Sequence, residues 1–309
     1  MRILIVKLGA LGDVVIWSGM MHAIVRRHPD AEFVLMTHAA FVPIMRQSGW
    51  FSDFIVDNRK PYRWAELKRI CYDSVVRREF DLVYDLQSSH RTLKVYYPLV
   101  RLLSRKRLVW ISHGYQAVEW DVRTSPAKRM LSWGRDERSK VALAPLPGDL
   151  GFCHGERRNF GLLPESPFLL LIPGCSAANS DKRWPAANYA AVSDRFRRLG
   201  IRSVVLGTKS ESDVIREILR GSPSAVDFMD KATLADIPDL ARKAAAVVGN
   251  DTGPTHMARL AGARTVMLFN ERTRNSAAEG RNVVNLFGRE IADISVESVV
   301  ARLEAWLCA

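Results

Sequence analysis

The sequence predicts an α/β protein of two doubly wound parallel-sheet domains, and three observations carry that prediction. Apolar, β-rich runs alternate with amphipathic stretches along the whole chain, which is the rhythm of βα units. At 309 residues the chain is about twice the size of one ordinary domain. The rhythm stops in a Pro- and Gly-rich interval, 144–167, and then restarts. Each half opens with a buried strand that runs into a Gly-containing loop.

In the first half, strands are expected near 2–7, 32–36, 53–56, 81–85 and 107–110. A helix from Val14 to Arg27 has apolar residues at helical spacing and ends before His28-Pro29, where proline disfavours continuation. The second half opens at Phe168–Ile172, with further strands near 202–206, 225–228, 246–249 and 264–268. Pro254 to Leu260 reads as a helix, and a last helix follows Ile291-Ala-Asp-Ile-Ser-Val-Glu297. The boundary is expected near residue 163, giving domains 1–163 and 164–309, with the last helix free to pack back on the first. In such sheets ligands bind outside the carboxyl ends of the strands.

Composition narrows the class. Apolar residues make up 48% and charged residues 25%, the usage of an ordinary soluble protein. Apolar runs such as Phe168–Ile172 fall far short of the roughly 18 residues of a membrane span. Arg2 and Lys7 leave no room for a signal-peptide core between them, so the expected location is cytoplasmic. The four cysteines, Cys71, Cys153, Cys175 and Cys308, form no C-x-x-C pair, so neither structural zinc nor a disulfide framework is expected. The net charge of +12 is uneven: residues 1–200 hold 31 Lys+Arg against 19 Asp+Glu, and residues 201–309 hold 14 of each. Arg77-Arg78, Arg105-Lys106-Arg107 and Arg123 to Arg138 concentrate it. Such a field suits a polyanionic partner, or serves only as a solubilising surface.

Three loops carry candidate chemistry. Lys7-Leu-Gly-Ala-Leu-Gly-Asp13 leaves the first strand and opens a helix, and its glycines permit a tight turn and close approach of a ligand. Asp13 reads either as a plain N-cap or as a functional carboxylate. Asn250-Asp-Thr-Gly-Pro-Thr-His256 follows an apolar strand and presents N–H groups and a hydroxyl at a helix N-terminus, a phosphate cradle or an ordinary βα turn. His256 is a ligand or a packed core histidine. Ser176-Ala-Ala-Asn-Ser-Asp-Lys182-Arg-Trp-Pro185 sets two cations before a helix start; Lys182 neutralises a diphosphate or sits in a solvated loop.

Taken in order with Asp81-Leu-Val-Tyr-Asp-Leu-Gln87, these segments resemble glycosyltransferase family 9, the bacterial heptosyltransferases of lipopolysaccharide core assembly, over nearly the whole chain. The resemblance implies a GT-B fold: two Rossmann-like domains facing a cleft, 1–163 for the acceptor and 164–309 for the donor. It implies an ADP-heptose donor, a phosphorylated glycolipid acceptor, inversion at the anomeric carbon, and no metal or cofactor. The family's catalytic carboxylate falls on Asp13 and its donor-phosphate lysine on Lys182. Donor-side roles fall on Gly12, Ser176, Asp251, Thr252, Gly253 and His256, and on Glu211 for the ribose. Acceptor-side roles fall on Lys7, Gln87, His90 and Arg91, with Ser88 extending that turn. In place of the family's Gly-Pro-Thr-Asp-Pro, Phe269 runs into Asn270-Glu-Arg-Thr-Arg-Asn275.

Inverting transfer asks for a base on the acceptor side and positive charge where the diphosphate leaves, by analogy with inverting hydrolysis. The basic half then suits the anionic cytoplasmic face of the inner membrane, at about 1 kcal/mol per basic residue near the surface. A dinucleotide oxidoreductase would need G-x-G-x-x-G, which Gly9-Ala-Leu-Gly12 does not supply. A nucleic-acid binder would need aromatic platforms or a reading motif among the basic runs, and the chain has neither. The nearer alternative is a degenerate transferase that binds nucleotide-sugar without turnover.

Overall fold

Parallel strands need a crossover between neighbours and cover on both faces, and continuous apolar strands flanked by amphipathic helices supply both. The computed structural model describes residues 1–104, 108–112, 148, 150–154, 161, 163–165, 167–277 and 280–307. The basic runs Arg105-Lys106-Arg107 and Arg123 to Arg138 lie outside the described residues.

The chain divides into two units, Met1–Gly148 and Asp149–Ala309. The first holds β1 (Arg2–Val6), β2 (Glu32–Thr37), β3 (Asp53–Val56), β4 (Leu82–Asp85) and β5 (Val109–Ser112), all parallel in the order β3-β2-β1-β4-β5. β1 is central, and its residues alternate between two cores. Ile3 and Ile5 pack with Val14, Trp17, Met20 and Ile24 on one face. Leu4 and Val6 pack with Ile70, Val75, Tyr96 and Val100 on the other. Each such burial is worth about 1.5–3 kcal/mol relative to exposure.

The expected helix from Val14 to Arg27 is two helices, Leu11–Ile16 and Ser18–Arg27, meeting at Trp17. The Ser18 hydroxyl donates back to the Val15 carbonyl at 2.7 Å, a bond that competes with the helical ladder and bends it. The turn brings the Trp17 ring under the Lys7 ammonium, 4.9 Å from its centroid.

The second unit holds β6 (Phe168–Ile172), β7 (Arg202–Gly207), β8 (Val226–Met229), β9 (Ala246–Asn250), β10 (Thr265–Asn270) and β11 (Val283–Gly288), parallel in the order β11-β10-β9-β6-β7-β8. Counted from its first strand this is the doubly wound order 3-2-1-4-5-6. Strand β11 has no counterpart in the sequence reading. It pairs only with β10, stays half-buried, and carries Asn285 in its middle, so no apolar run marks it. The chain enters the second unit earlier than residue 163. Leu150 N–H donates to the Leu260 carbonyl, and Arg242 donates to the carbonyls of both Leu150 and Cys153 at 2.8 Å. Val299 and Leu303 of the closing helix, Val296–Leu307, are buried in this unit's core. Among the described residues no helix is long and apolar enough to cross a membrane.

Strand order reverses between β1 and β4 in the first unit and between β6 and β9 in the second. The candidate loops leave the carboxyl ends of these four strands, where such sheets bind ligands.

Candidate active site

In the first unit the loop after β1 is gripped from two sides. Gln87 Oε1 accepts from Leu8 N–H at 2.9 Å, and Arg59 Nη2 donates to the Leu8 carbonyl at 2.8 Å. Gly9 has φ +119°, and a Cβ there would lie 2.6 Å from Arg59 Nη2 and 2.8 Å from the Phe41 ring, so only glycine fits. The helix then starts at Leu11 with Ala10 in the capping position. The N-cap reading of Asp13 is therefore corrected: Asp13 lies inside the first turn, beside Gly12. It is half-buried, and its carboxylate makes no hydrogen bond or ion pair with any described residue.

The residues expected on the acceptor side separate into two groups. Lys7 is buried and donates to the Leu86 carbonyl at 3.2 Å, while Gln87 holds the β1 loop. Arg91 instead pairs with the fully buried Asp57 at 3.1 Å and lies over Tyr62 and Tyr96, tying the segment after β3 to the helix Arg91–Tyr96. The Asp57 carboxylate also accepts from the Tyr96 hydroxyl at 2.7 Å. His90 is exposed at the start of that helix. Asp57, missed in the sequence, is what fixes Arg91.

Asp85 closes β4. One oxygen accepts the N–H groups of Gln87 (3.1 Å) and Ser88 (2.9 Å), and the other, Oδ2, is buried without a hydrogen-bond partner. Burial pushes this carboxyl up to about 6, against the backbone N–H of Ser88, the nearby Thr92 hydroxyl, the backbone N–H of Gln87 and the charge of Lys7. A carboxyl raised on folding favours the folded state when protonated. Its contribution is complete below the ordinary value of 3.8 and is lost as pH rises through about 6. Asp85→Asn keeps the acceptor for both N–H groups and should remove that loss. Between pH 4 and pH 7.5, urea unfolding should show the variant gaining on the parent by about 2.4 kcal/mol. Parallel pH profiles would show that folding does not raise the Asp85 carboxyl.

In the second unit the switch-point loops converge. Asn250, fully buried at the end of β9, accepts from Trp184 N–H at 3.1 Å and the Tyr189 hydroxyl at 3.0 Å, and donates to the Pro173 carbonyl at 2.8 Å. This clamps the loop after β6 to the loop after β9. On that frame Lys182 Nζ donates to Asp251 Oδ2 at 2.8 Å, and His256 Nε2 lies 3.0 Å from Asp251 Oδ1. Burial opposes the Asp251 charge, but His256 and Lys182 outweigh it and hold the carboxyl below its usual range. His256 is buried, and Arg259 Nε donates to its Nδ1 at 3.0 Å, so both ring nitrogens are occupied by protein. Arg259 was also missed, although its i,i+3 spacing from His256 places the two on one helix face.

Thr252 occupies the N-cap position of the helix Gly253–Leu260 without a side-chain capping bond, and its hydroxyl lies 3.2 Å from that of Thr255. Pro254 has no N–H, so the first turn presents the N–H groups of Gly253 and Thr255. Ser176 is exposed and accepts from Asn179 at 2.7 Å. Glu211 uses Oε2 to accept from the Thr208 N–H and hydroxyl. Its carboxylate lies directly against Gly174, where a Cβ would collide with it, so Glu211 reaches the ends of β6 and β7. The segment after β10 is organised too. Asn270 caps it, accepting from Thr273, and donates to Asp181 beside Lys182, while Arg272 pairs with the same Asp181. The residues that follow β10 thus brace the lysine loop.

A family model described as glycosyltransferase family 9 (heptosyltransferase) matches residues 116–289, more than half of the chain. The chain belongs to glycosyltransferase family 9. It is similar to lipooligosaccharide heptosyltransferase 2 of Haemophilus influenzae, 28% identical over 113 residues that make up 35% of this chain and 32% of that protein. The match thus spans about a third of that relative's length. Among solved structures, a family 9 glycosyltransferase of Veillonella parvula superposes with a TM-score of 0.80 at 17% identity, covering 99% of this chain and 97% of that one. The E. coli ADP-heptose lps heptosyltransferase II superposes with a TM-score of 0.79 at 17% identity, covering 100% and 99%. E. coli heptosyltransferase WaaC with ADP-2-deoxy-2-fluoro heptose gives 0.73 at 17% identity, covering 99% of each chain. The family member described here has their GT-B fold.

Proposed function

We propose that this family 9 chain transfers a heptosyl group from a nucleotide-diphosphate donor, ADP-heptose, to a phosphorylated lipopolysaccharide-core glycolipid, with inversion and without a metal ion. The observation that carries the reading is the charge arrangement in the second unit. Lys182, Asp251 and Arg259 leave one net positive charge beside the N–H groups that open the helix Gly253–Leu260. That combination suits a diphosphate. The structures of E. coli heptosyltransferase WaaC with ADP and with ADP-2-deoxy-2-fluoro heptose support adenine as the base.

In this reading Asp13 accepts the proton of the acceptor hydroxyl as the new C–O bond forms. The bond from the anomeric carbon to the diphosphate breaks, and its electron pair leaves on a phosphate oxygen that Lys182 meets. Glu211 binds the ribose hydroxyls, and Lys7, Gln87, His90 and Arg91 form the acceptor side. The excess of basic residues in 1–200 attracts the anionic cytoplasmic face of the inner membrane, a peripheral attachment, and nucleic acid is not a partner.

The test is a panel of ADP-, UDP-, GDP- and CMP-sugars read by thermal shift, followed by transfer to core glycolipid in anionic and neutral vesicles with EDTA present. ADP-heptose should raise Tm most, since a ligand at 100 times its Kd stabilises by about 2.7 kcal/mol. Transfer should survive EDTA and should favour anionic vesicles. Binding of ADP-heptose without transfer would leave the chain a nucleotide-sugar-binding protein.

A further inference from the structure

Asp251 is the hinge of the charged cluster, and its two oxygens are not equivalent: Oδ2 receives Lys182 and Oδ1 faces His256 Nε2. Which oxygen serves which partner depends on where the imidazole carries its proton. A neutral ring bears one N–H, and the nitrogen that accepts a hydrogen bond is the one without it. A guanidinium can only donate. Arg259 Nε points at His256 Nδ1 over 3.0 Å, so Nδ1 must be the bare nitrogen and Nε2 the protonated one. The ring then donates to Asp251 Oδ1, and Oδ2 is left for Lys182.

We propose that Arg259 is a positioning residue. By occupying Nδ1 it locks His256 as the neutral Nε2–H tautomer, and through Asp251 it fixes where the Lys182 ammonium sits. The charges around the ring include Arg259 on its own helix, Asp251 from the end of β9 and, through Asp251, Lys182 from the loop before Trp184. Without Arg259, Nδ1 loses its donor while the Asp251 carboxylate still faces Nε2, an arrangement that favours a second proton on the ring. Asp251 would then be shared between two cations, and Lys182 would lose its single assigned partner. Arg259 also keeps the cluster net positive after Asp251 has neutralised Lys182. The consequence for turnover rests on the function proposed above, whereas the tautomer does not.

The decisive measurement is therefore made on the whole chain without substrate. Long-range nitrogen–proton correlation NMR at pH 7 reads the state of each imidazole, and His256→Gln assigns the signal among the seven histidines. The parent should show an Nε2–H ring with a bare Nδ1. Arg259→Met keeps the length of the side chain but has no donor, and its ring should move to the doubly protonated pattern. Arg259→Lys keeps a cationic donor and should return at least part of the population to the parent pattern. In turnover assays Arg259→Met should lower kcat roughly tenfold, the size of one hydrogen bond to a charged group, with donor KM changing less than kcat. A parent ring that is protonated at Nδ1, or an Arg259→Met spectrum identical to the parent's, overturns the proposal. A parent that shows the Nε2–H ring but transfers no sugar would overturn the proposed function and leave the Arg259 assignment standing.

Discussion

Asp13→Asn should fold, bind nucleotide like the parent, and lose at least about two orders of magnitude in turnover. Asp13 holds no cap, since Ala10 occupies that position, and its carboxylate touches no donor among the described residues. Replacing it with an isosteric amide removes only a favourable interaction with the helix dipole, about 0.3–1 kcal/mol in the first turn. A half-buried carboxylate left without a partner at a switch point is poorly explained by stability, because burying even part of a charge costs free energy. A general base explains it, because that group must stay open to the hydroxyl it deprotonates. Asn accepts a hydrogen bond there but takes no proton. Asp13→Glu keeps the charge and displaces it by one methylene, so it should retain more turnover than Asn and still fall well below the parent. Thermal unfolding, nucleotide titration and kcat on the same preparations separate the cases. Full turnover in the Asn chain would remove Asp13 from the chemistry.

How much of this was legible in the sequence depends on how local each signal was. The central strands among the ten read from the sequence are buried runs such as Leu169–Ile172 and Val266–Phe269, which a parallel sheet leaves continuously apolar, and the half-buried β3, β5 and β8 still carry short apolar stretches. β11 escaped because an edge strand needs less burial, and Asn285 breaks its run. The switch-point loops were legible as motifs because their glycines and polar residues sit directly after those strands. Their internal wiring was not. Asp57 and Arg91 lie 34 positions apart, and Lys182 and Asp251 lie 69 apart, so only the fold brings them together. Asp13 was placed one turn off because the helix starts at Leu11 and not at Val14, and an error of three residues converts a cap into a first-turn side chain. Arg259 is the opposite case. Its spacing from His256 was visible, but which ring nitrogen it meets, which decides its meaning, follows only from the fold.

Lys182→Ala should lower kcat by on the order of 10²-fold with a smaller rise in donor KM. In the proposed transfer, negative charge grows on the diphosphate as the glycosidic bond breaks, so a cation held there would interact more strongly in the transition state than in the ground state. The structure adds a reason for its placement. Asp251 holds the ammonium by one oxygen at 2.8 Å, while His256 occupies the other, so the charge is preorganised before donor arrives. Removing Lys182 leaves Asp251 buried with only His256, which costs some stability as well. A thermal scan must therefore accompany the kinetics, and turnover must be compared below the variant's Tm. Lys182→Arg should recover only part, because a planar fork does not replace a compact ammonium against one carboxylate oxygen. Arg183→Ala is the internal control. Arg183 donates to the Cys175 carbonyl at 3.0 Å and so braces the loop and not the leaving group. Its loss should appear mainly as a few-fold rise in donor KM, about the effect of one neutral-acceptor hydrogen bond. The two substitutions thus separate along different kinetic axes, kcat for Lys182 and KM for Arg183. If Lys182→Ala also raises only KM, the lysine binds the ground state and transition state alike, and the leaving diphosphate draws its stabilisation from the N–H groups of Gly253 and Thr255.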